Sequence, residues 1–119
     1  MTEEIRNYVV EKTHALMEAH SCSKEAKAAA AAWLAAVGTG QEKAETRKYI
    51  AELEADIMPI DGLIAFAESE QGIQHFGVEL AKKIAVHARE IKANGAVFCD
   101  CPACAAVADI LQKKDSILL

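Results

Sequence analysis

The chain has 119 residues and a formal net charge of −5, with 13 Lys and Arg against 18 Asp and Glu. That length suits one domain burying about two-thirds of its unfolded surface, and residues 1–119 are read as a single helical-bundle domain. The basic residues are scattered among acids, which argues against nucleic acid as a partner, and no apolar run approaches the roughly 20 residues of a membrane span.

The first residues, Met1 to Ile5, are acidic where a secretory signal is basic and then apolar, so a soluble, cytoplasmic protein is expected. Hydrophobic residues make up 52% of the chain but aromatics only 5%. A core of Ala, Leu, Ile and Val favours closely packed helices over sheets.

Helix one is predicted from Thr2 as N-cap to about Ala19, with Ile5, Val9, Leu16 and His20 on one face and Val10, His14 and Met17 beside them. A polar turn, residues 20–23, ends in Ser23, which caps helix two over Lys24 to Val37. The run Ala28 to Ala32 allows a neighbouring helix to come close, and Gly38 is the expected C′ residue. Thr39-Gly40-Gln41-Glu42 reads as a capping box for helix three, which buries Ile50, Leu53 and Ile57 and stops at Pro59. Its acids Glu45, Glu52, Glu54 and Asp56 read as a solvated face paired with Arg47 and Lys48.

Asp61 is taken as the cap of a short helix four, Gly62 to about Glu70, followed by an irregular segment between Gly72 and Gly77. A long helix runs from Val78 to Asn94, with Leu80, Ile84, His87 and Ile91 inward, and Gly95 ends it. The last helix starts at Asp100 or Cys101 and extends to about Lys113, burying Val107, Ile110 and Leu111, and the apolar tail 116–119 docks on the bundle. The fold class is therefore all-α, a compact antiparallel helical bundle of five or six helices.

Cysteine usage is concentrated: Cys99, Cys101 and Cys104 fall within six residues. In a reducing compartment such clustering points to metal or redox work. Cys-x-Cys-x-x-Cys lets three sulfurs converge, and Zn(II) needs a fourth ligand at about 2.0–2.3 Å to close a tetrahedron. If every helix crosses the bundle, the turns at 20–22, 57–61 and 95–101 share one end, with Asp56 and Asp61 nearby. That brings Cys22 or His20 to the trio, with His87 as a further possibility. The expected metal ligands are Cys22, Cys99, Cys101, Cys104 and His20, for Zn or Fe, with an Fe–S cluster or Cu(I) also compatible with thiolates. The step depends on helix four, which at about 9 residues spans only about 13 Å.

Two other readings stay open. One is a dithiol redox or thiol-sensing protein in which Cys101 is the nucleophile and Cys104 its partner. The other is an interaction module presenting Phe66, Ile73 and Phe76 to a protein partner or to a second copy. Catalytic constellations are lacking: there is no phosphate-cradling glycine loop and no nucleophile elbow. Glu11-Lys12-Thr13-His14 has the Glu-x-x-His spacing of di-iron bundles, but such a site needs a second motif, and none occurs. His75 is placed at the far end of the bundle, in solvent.

The pieces Glu11 to His14, Trp33 to Gly38, Asp56 to Asp61, Ala65 to Ser69 and Cys99 to Cys104 together resemble a family of short, functionally uncharacterised helical proteins from anaerobic bacteria. The resemblance covers nearly the whole chain and implies a helical fold and a bacterial cytoplasm. Members sometimes carry a label of ninety-kilodalton heat-shock chaperone. That label is unsupported here, since 119 residues are too few for the ATPase domain and its glycine-rich loops are missing.

Overall fold

Side chains that satisfy the first unpaired N–H groups set four of the helix starts, and the caps read at Thr2 and Ser23 are among them. The computed structural model describes residues 1–119. Thr2 accepts from the Ile5 N–H and starts α1 (Glu3–Glu18), and Ser23 accepts from the Ala26 N–H and starts α2 (Lys24–Ala36). They are followed by α3 (Glu42–Asp56), α4 (Ile60–Glu68), α5 (Glu70–Phe76), α6 (Val78–Ala93), α7 (Pro102–Leu111) and α8 (Lys114–Leu118). The chain is all-helical, with one isolated antiparallel bridge between Pro59 and Phe98.

There are eight helices where five or six are expected, because two segments read as non-helical are helical. Residues 70–76 form α5: Ser69 caps it by accepting from the Gly72 N–H at 3.0 Å. Gly72 is thus a first-turn residue rather than a break. The tail forms α8 and buries Ile117. At α3 the expected box is displaced: the Glu42 carboxylate accepts from the Gly38 N–H at 3.0 Å, while the Thr39 hydroxyl accepts from Gln41. Asp61 lies inside α4 and pairs with Lys92 at 2.6 Å instead of capping.

Two compact units divide the chain, one of residues 1–57 with 100–119 and the other of residues 58–99. In the first, α1 packs on α7 and α2 on α3, with α8 against α3 and α1. Its centre is Trp33, fully buried and stacked on Tyr49 with ring centroids 5.4 Å apart. Polar atoms in this core are paired, as burial demands. Trp33 Nε1 donates to Thr46 Oγ1 at 2.8 Å, Thr46 Oγ1 donates to the Glu42 carbonyl at 2.7 Å, and the Thr13 and Tyr49 hydroxyls lie 2.8 Å apart. Burial pushes the Tyr49 phenol up to about 12, so it stays neutral and hydrogen-bonded at any ordinary pH.

In the second unit α4 packs on α6, and α5 packs on both. The buried face of α6 is Ala81, Ala85 and Ala88, about a quarter-turn from the predicted stripe. Leu80 is 49% exposed and His87 is exposed, while Ile84 and Ile91 are half-buried. Ala88 packs with Ile60 and Ile64 of α4, with Leu63 and Ile91 at the margin, so the partner helix supplies the bulk and the small side chains of α6 take the inner position.

Arg6 joins α1 to the start of α3 through a two-pronged pair with Glu42, Nε and Nη2 each 3.0 Å from a carboxylate oxygen. The Arg6 guanidinium, then the Gly38 N–H, hold the Glu42 carboxyl below its usual range. A depressed carboxyl contributes stability that is present above its unfolded value and lost as pH falls through the folded one. Arg6→Gln is therefore expected to cost about 0.5–1 kcal/mol near neutral pH. In urea melts that difference from wild type should shrink well below pH 4, and a gap that does not change with pH would contradict the assignment.

Candidate metal centre

The segment that carries three of the four cysteines is shaped by two local devices. Gly95, at φ 99°, closes α6 in a left-handed turn, with its N–H on the Lys92 carbonyl and the Ala96 N–H on that of Ile91. Residues 97–99 then run extended against 58–60: Ile60 N donates to the Val97 carbonyl and Cys99 N to the Met58 carbonyl, both at 2.8 Å. Pro59 sits opposite Phe98, where it has no N–H to leave unpaired.

The second device is the start of α7. Cys101 is the N-cap and Pro102 the first helical residue, the position where a missing N–H costs nothing. The donors that follow are all engaged. Ala103 N donates to Ser21 Oγ at 3.2 Å, Cys104 N to Cys101 Sγ at 3.4 Å, and Ala105 N to the Cys101 carbonyl at 2.8 Å. An N–H directed at sulfur from a helix N-terminus favours negative charge there.

As a result the Sγ atoms of Cys99, Cys101 and Cys104 all lie within 4.8 Å of one another. Cys104 is buried, Cys99 and Cys101 are half-buried, and no disulfide joins any of the four cysteines. The three belong to one hexapeptide, which is held at Cys99 by the Met58 carbonyl and at Ala103 by the Ser21 hydroxyl.

Neither Cys22 nor His20 belongs to the group. Their loop does reach α7, but the Ser21 hydroxyl makes the contact. Cys22 Sγ donates to the Ser23 carbonyl at 3.5 Å, and burial pushes its thiol up, with Asp56 adding to the effect and Lys27 opposing it. Its surroundings thus favour the protonated form, the wrong one for a ligand. His20 is exposed. His87, expected to point inward, is exposed on α6 and is not a member either.

Asp56 is half-buried, and one carboxylate oxygen, Oδ2, is buried without a hydrogen-bond partner. Burial first, then Glu52 and Glu25, raise its carboxyl. Asp61 is engaged with Lys92. Glu11 and His14 are both exposed on α1. The apolar face of Phe66, Ile73 and Phe76 is partly used up internally: the Phe66 and Phe76 rings meet edge to face at 5.8 Å, with the His75 ring 4.8 Å from Phe76.

Ser21 is the site-forming residue that sequence reasoning passed over. The signal for it was indirect, since a helix opening on Cys101 and Pro102 leaves the Ala103 N–H in need of an outside acceptor. No helix is long and apolar enough to cross a membrane. Comparison with protein-family profiles, curated proteins and solved structures finds no match to the chain.

Proposed function

We infer that the protein binds a metal ion through the thiolates of Cys99, Cys101 and Cys104. The observation that carries the reading is the convergence of three sulfurs within 4.8 Å. With metal–sulfur bonds of about 2.3 Å, an ion at the centre of three sulfurs holds them about 4 Å apart, so contraction by less than about 1 Å closes the site. The Cys104 N–H on Cys101 Sγ supplies the outer partner that orients a ligand and offsets its charge. Thiolate donors suit Zn, Fe and Cu(I).

The test is metal analysis with thiol counting on protein purified under reducing conditions without chelator. About one equivalent of bound metal is expected, with at least three thiols masked until denaturing chelation. Metal-free protein with four freely reacting thiols would end the reading.

A second reading rests on the cap at Cys101. A sulfur that accepts from the first turn of α7, three residues before a buried Cys104, is placed as the attacking thiolate of a dithiol. Oxidation would join Cys101 and Cys104 in a disulfide with loss of two protons and two electrons to an acceptor such as oxidised glutathione. That couple should vanish in Cys101→Ser and Cys104→Ser and persist in Cys99→Ser. Loss in all three variants, together with loss of metal, would return the trio to the metal reading.

A further inference from the structure

α6 buries Ala81, Ala85 and Ala88, and the helices it packs against are α4 and α5. At 3.6 residues per turn the opposite side of the same helix carries Glu79, Lys82, Lys83, Val86, Glu90 and Ala93, all exposed. Val86 stands in the middle of that face at 57% exposure, the most exposed large apolar side chain on any helix of the chain. A groove of about 350 Å³ is lined by Lys82, Lys83, Val86, His87 and Glu90. The apolar excess is local, since of the exposed large apolar side chains only Leu118 and Leu119 fall outside residues 58–99. Concentrated exposed apolar surface with a polar rim is the mark of a docking face.

The order of charges on α6 decides what fits there. Lys82 lies four residues before Val86 and Glu90 four residues after it, about one turn to each side. When two such helices meet antiparallel with Val86 on Val86, Lys82 of each copy comes level with Glu90 of the other. One lysine–glutamate pair then forms on either side of the centre, which is the reciprocity that a two-fold interface requires. Lys83 and Arg89 also come level, but the Arg89 guanidinium is held by Glu68 at 2.6 Å. A parallel pairing in the same register would set Lys82 against Lys82 and Glu90 against Glu90, and like charges oppose it.

We propose that the outer face of α6 binds a second copy of this chain, in a two-fold antiparallel pairing centred on Val86 and flanked by two pairs between Lys82 and Glu90. A helix of 16 residues is about 24 Å long. Contact through that one helix falls short of the roughly 1,200–2,000 Å² of a stable interface, so the dimer is of the transient class. Its pairs lie at an exposed rim, and salt therefore weakens it.

The experiment is sedimentation equilibrium of the reduced full-length chain, read over about 1 μM to 1 mM protein, the span of weak to moderate affinities. A monomer–dimer equilibrium is expected, shifted towards monomer at about 1 M salt, where the screening length is about 3 Å. Lys82→Glu and Glu90→Lys each turn two attractive pairs into two repulsive ones, and each should weaken dimerisation by about ten-fold. An equimolar mixture of the two variants should recover association, because the altered faces are complementary to each other. The double variant should dimerise like the unaltered chain, and Val86→Asp should not dimerise. All three positions are exposed, so circular dichroism should show the helical fold retained throughout.

A chain that stays monomeric across the whole range would overturn the pairing. So would a dimer that both single variants leave unchanged, or a mixture that stays monomeric when each variant alone has lost association. None of the substituted residues is among the clustered cysteines, so these outcomes are separate from those that test the metal reading.

Discussion

Trp33→Ala is expected to destabilise the chain by about 3–5 kcal/mol, the range for removing a large aromatic side chain from a closed core. Trp33 has no solvent exposure, stacks on Tyr49 and donates its indole N–H to Thr46. The substitution therefore opens a cavity between α2 and α3 and removes one partner of a buried hydrogen bond. Against a total stability of about 5–15 kcal/mol, most of the folded population is at risk. Loss of the urea transition, followed by far-UV circular dichroism, is the measurement. Trp33→Phe keeps most of the packing and loses the N–H, so it should cost less, about 1–3 kcal/mol. A Trp33→Ala variant melting within about 1 kcal/mol of wild type would show that this core tolerates collapse far better than its closure implies.

Gly72→Ala is the second large effect, expected from a single added carbon. A Cβ at that position would lie 1.7 Å from the Phe66 carbonyl oxygen and 2.6 Å from its carbon. Both obstacles are backbone, so no side chain can swing aside. The same Phe66 oxygen accepts from the Ser69 N–H and the Ser69 hydroxyl, and the hydroxyl caps α5. Separating α4 from α5 would therefore break the turn as well as the packing. The cost should reach or exceed the roughly 1–3 kcal/mol typical of overpacking. Hydrogen exchange read by segment is the sharper probe: protection should fall first across residues 58–99 and be retained longest in α2 and α3. Uniform loss across the chain, or no loss at all, would contradict the close approach at Gly72.

How far the fold was legible depends on the range of the interaction that decides each element. Thr2 and Ser23 cap as read, because an N-cap bond spans three residues and answers only to its own turn. Gly72 was read as a break since glycine lowers helix propensity, yet what the position needs is absence of a side chain against a neighbouring backbone. On α6, apolar periodicity picked the bulky stripe of Leu80 and Ile84, and the alanines beside it are what the structure buries. Periodicity weighs transfer of large groups from water. It does not register how closely a partner helix can approach.

The candidate site divides along the same line. Cys99, Cys101 and Cys104 sit in one short segment, so their sulfurs start close together, while a helix cap at Cys101 and a bridge from Phe98 to the distant Pro59 hold that segment in shape. Cys22 lies far away in sequence, and the expectation that it joins them rested on how helices alternate. The loop does meet α7, through the Ser21 hydroxyl on the Ala103 N–H, and Cys22 is not one of the three clustered thiols.

By itself, then, the sequence determined the helical class, several helix ends and the clustering of three thiols, because caps, turn formers and short spacings act within a few residues. Tertiary structure alone decided which face of α6 is buried, that Gly72 is a contact, and that the fourth cysteine stands outside the trio. Those outcomes depend on which distant backbone arrives alongside, and a shift of one residue along a helix turns a side chain by about 100°.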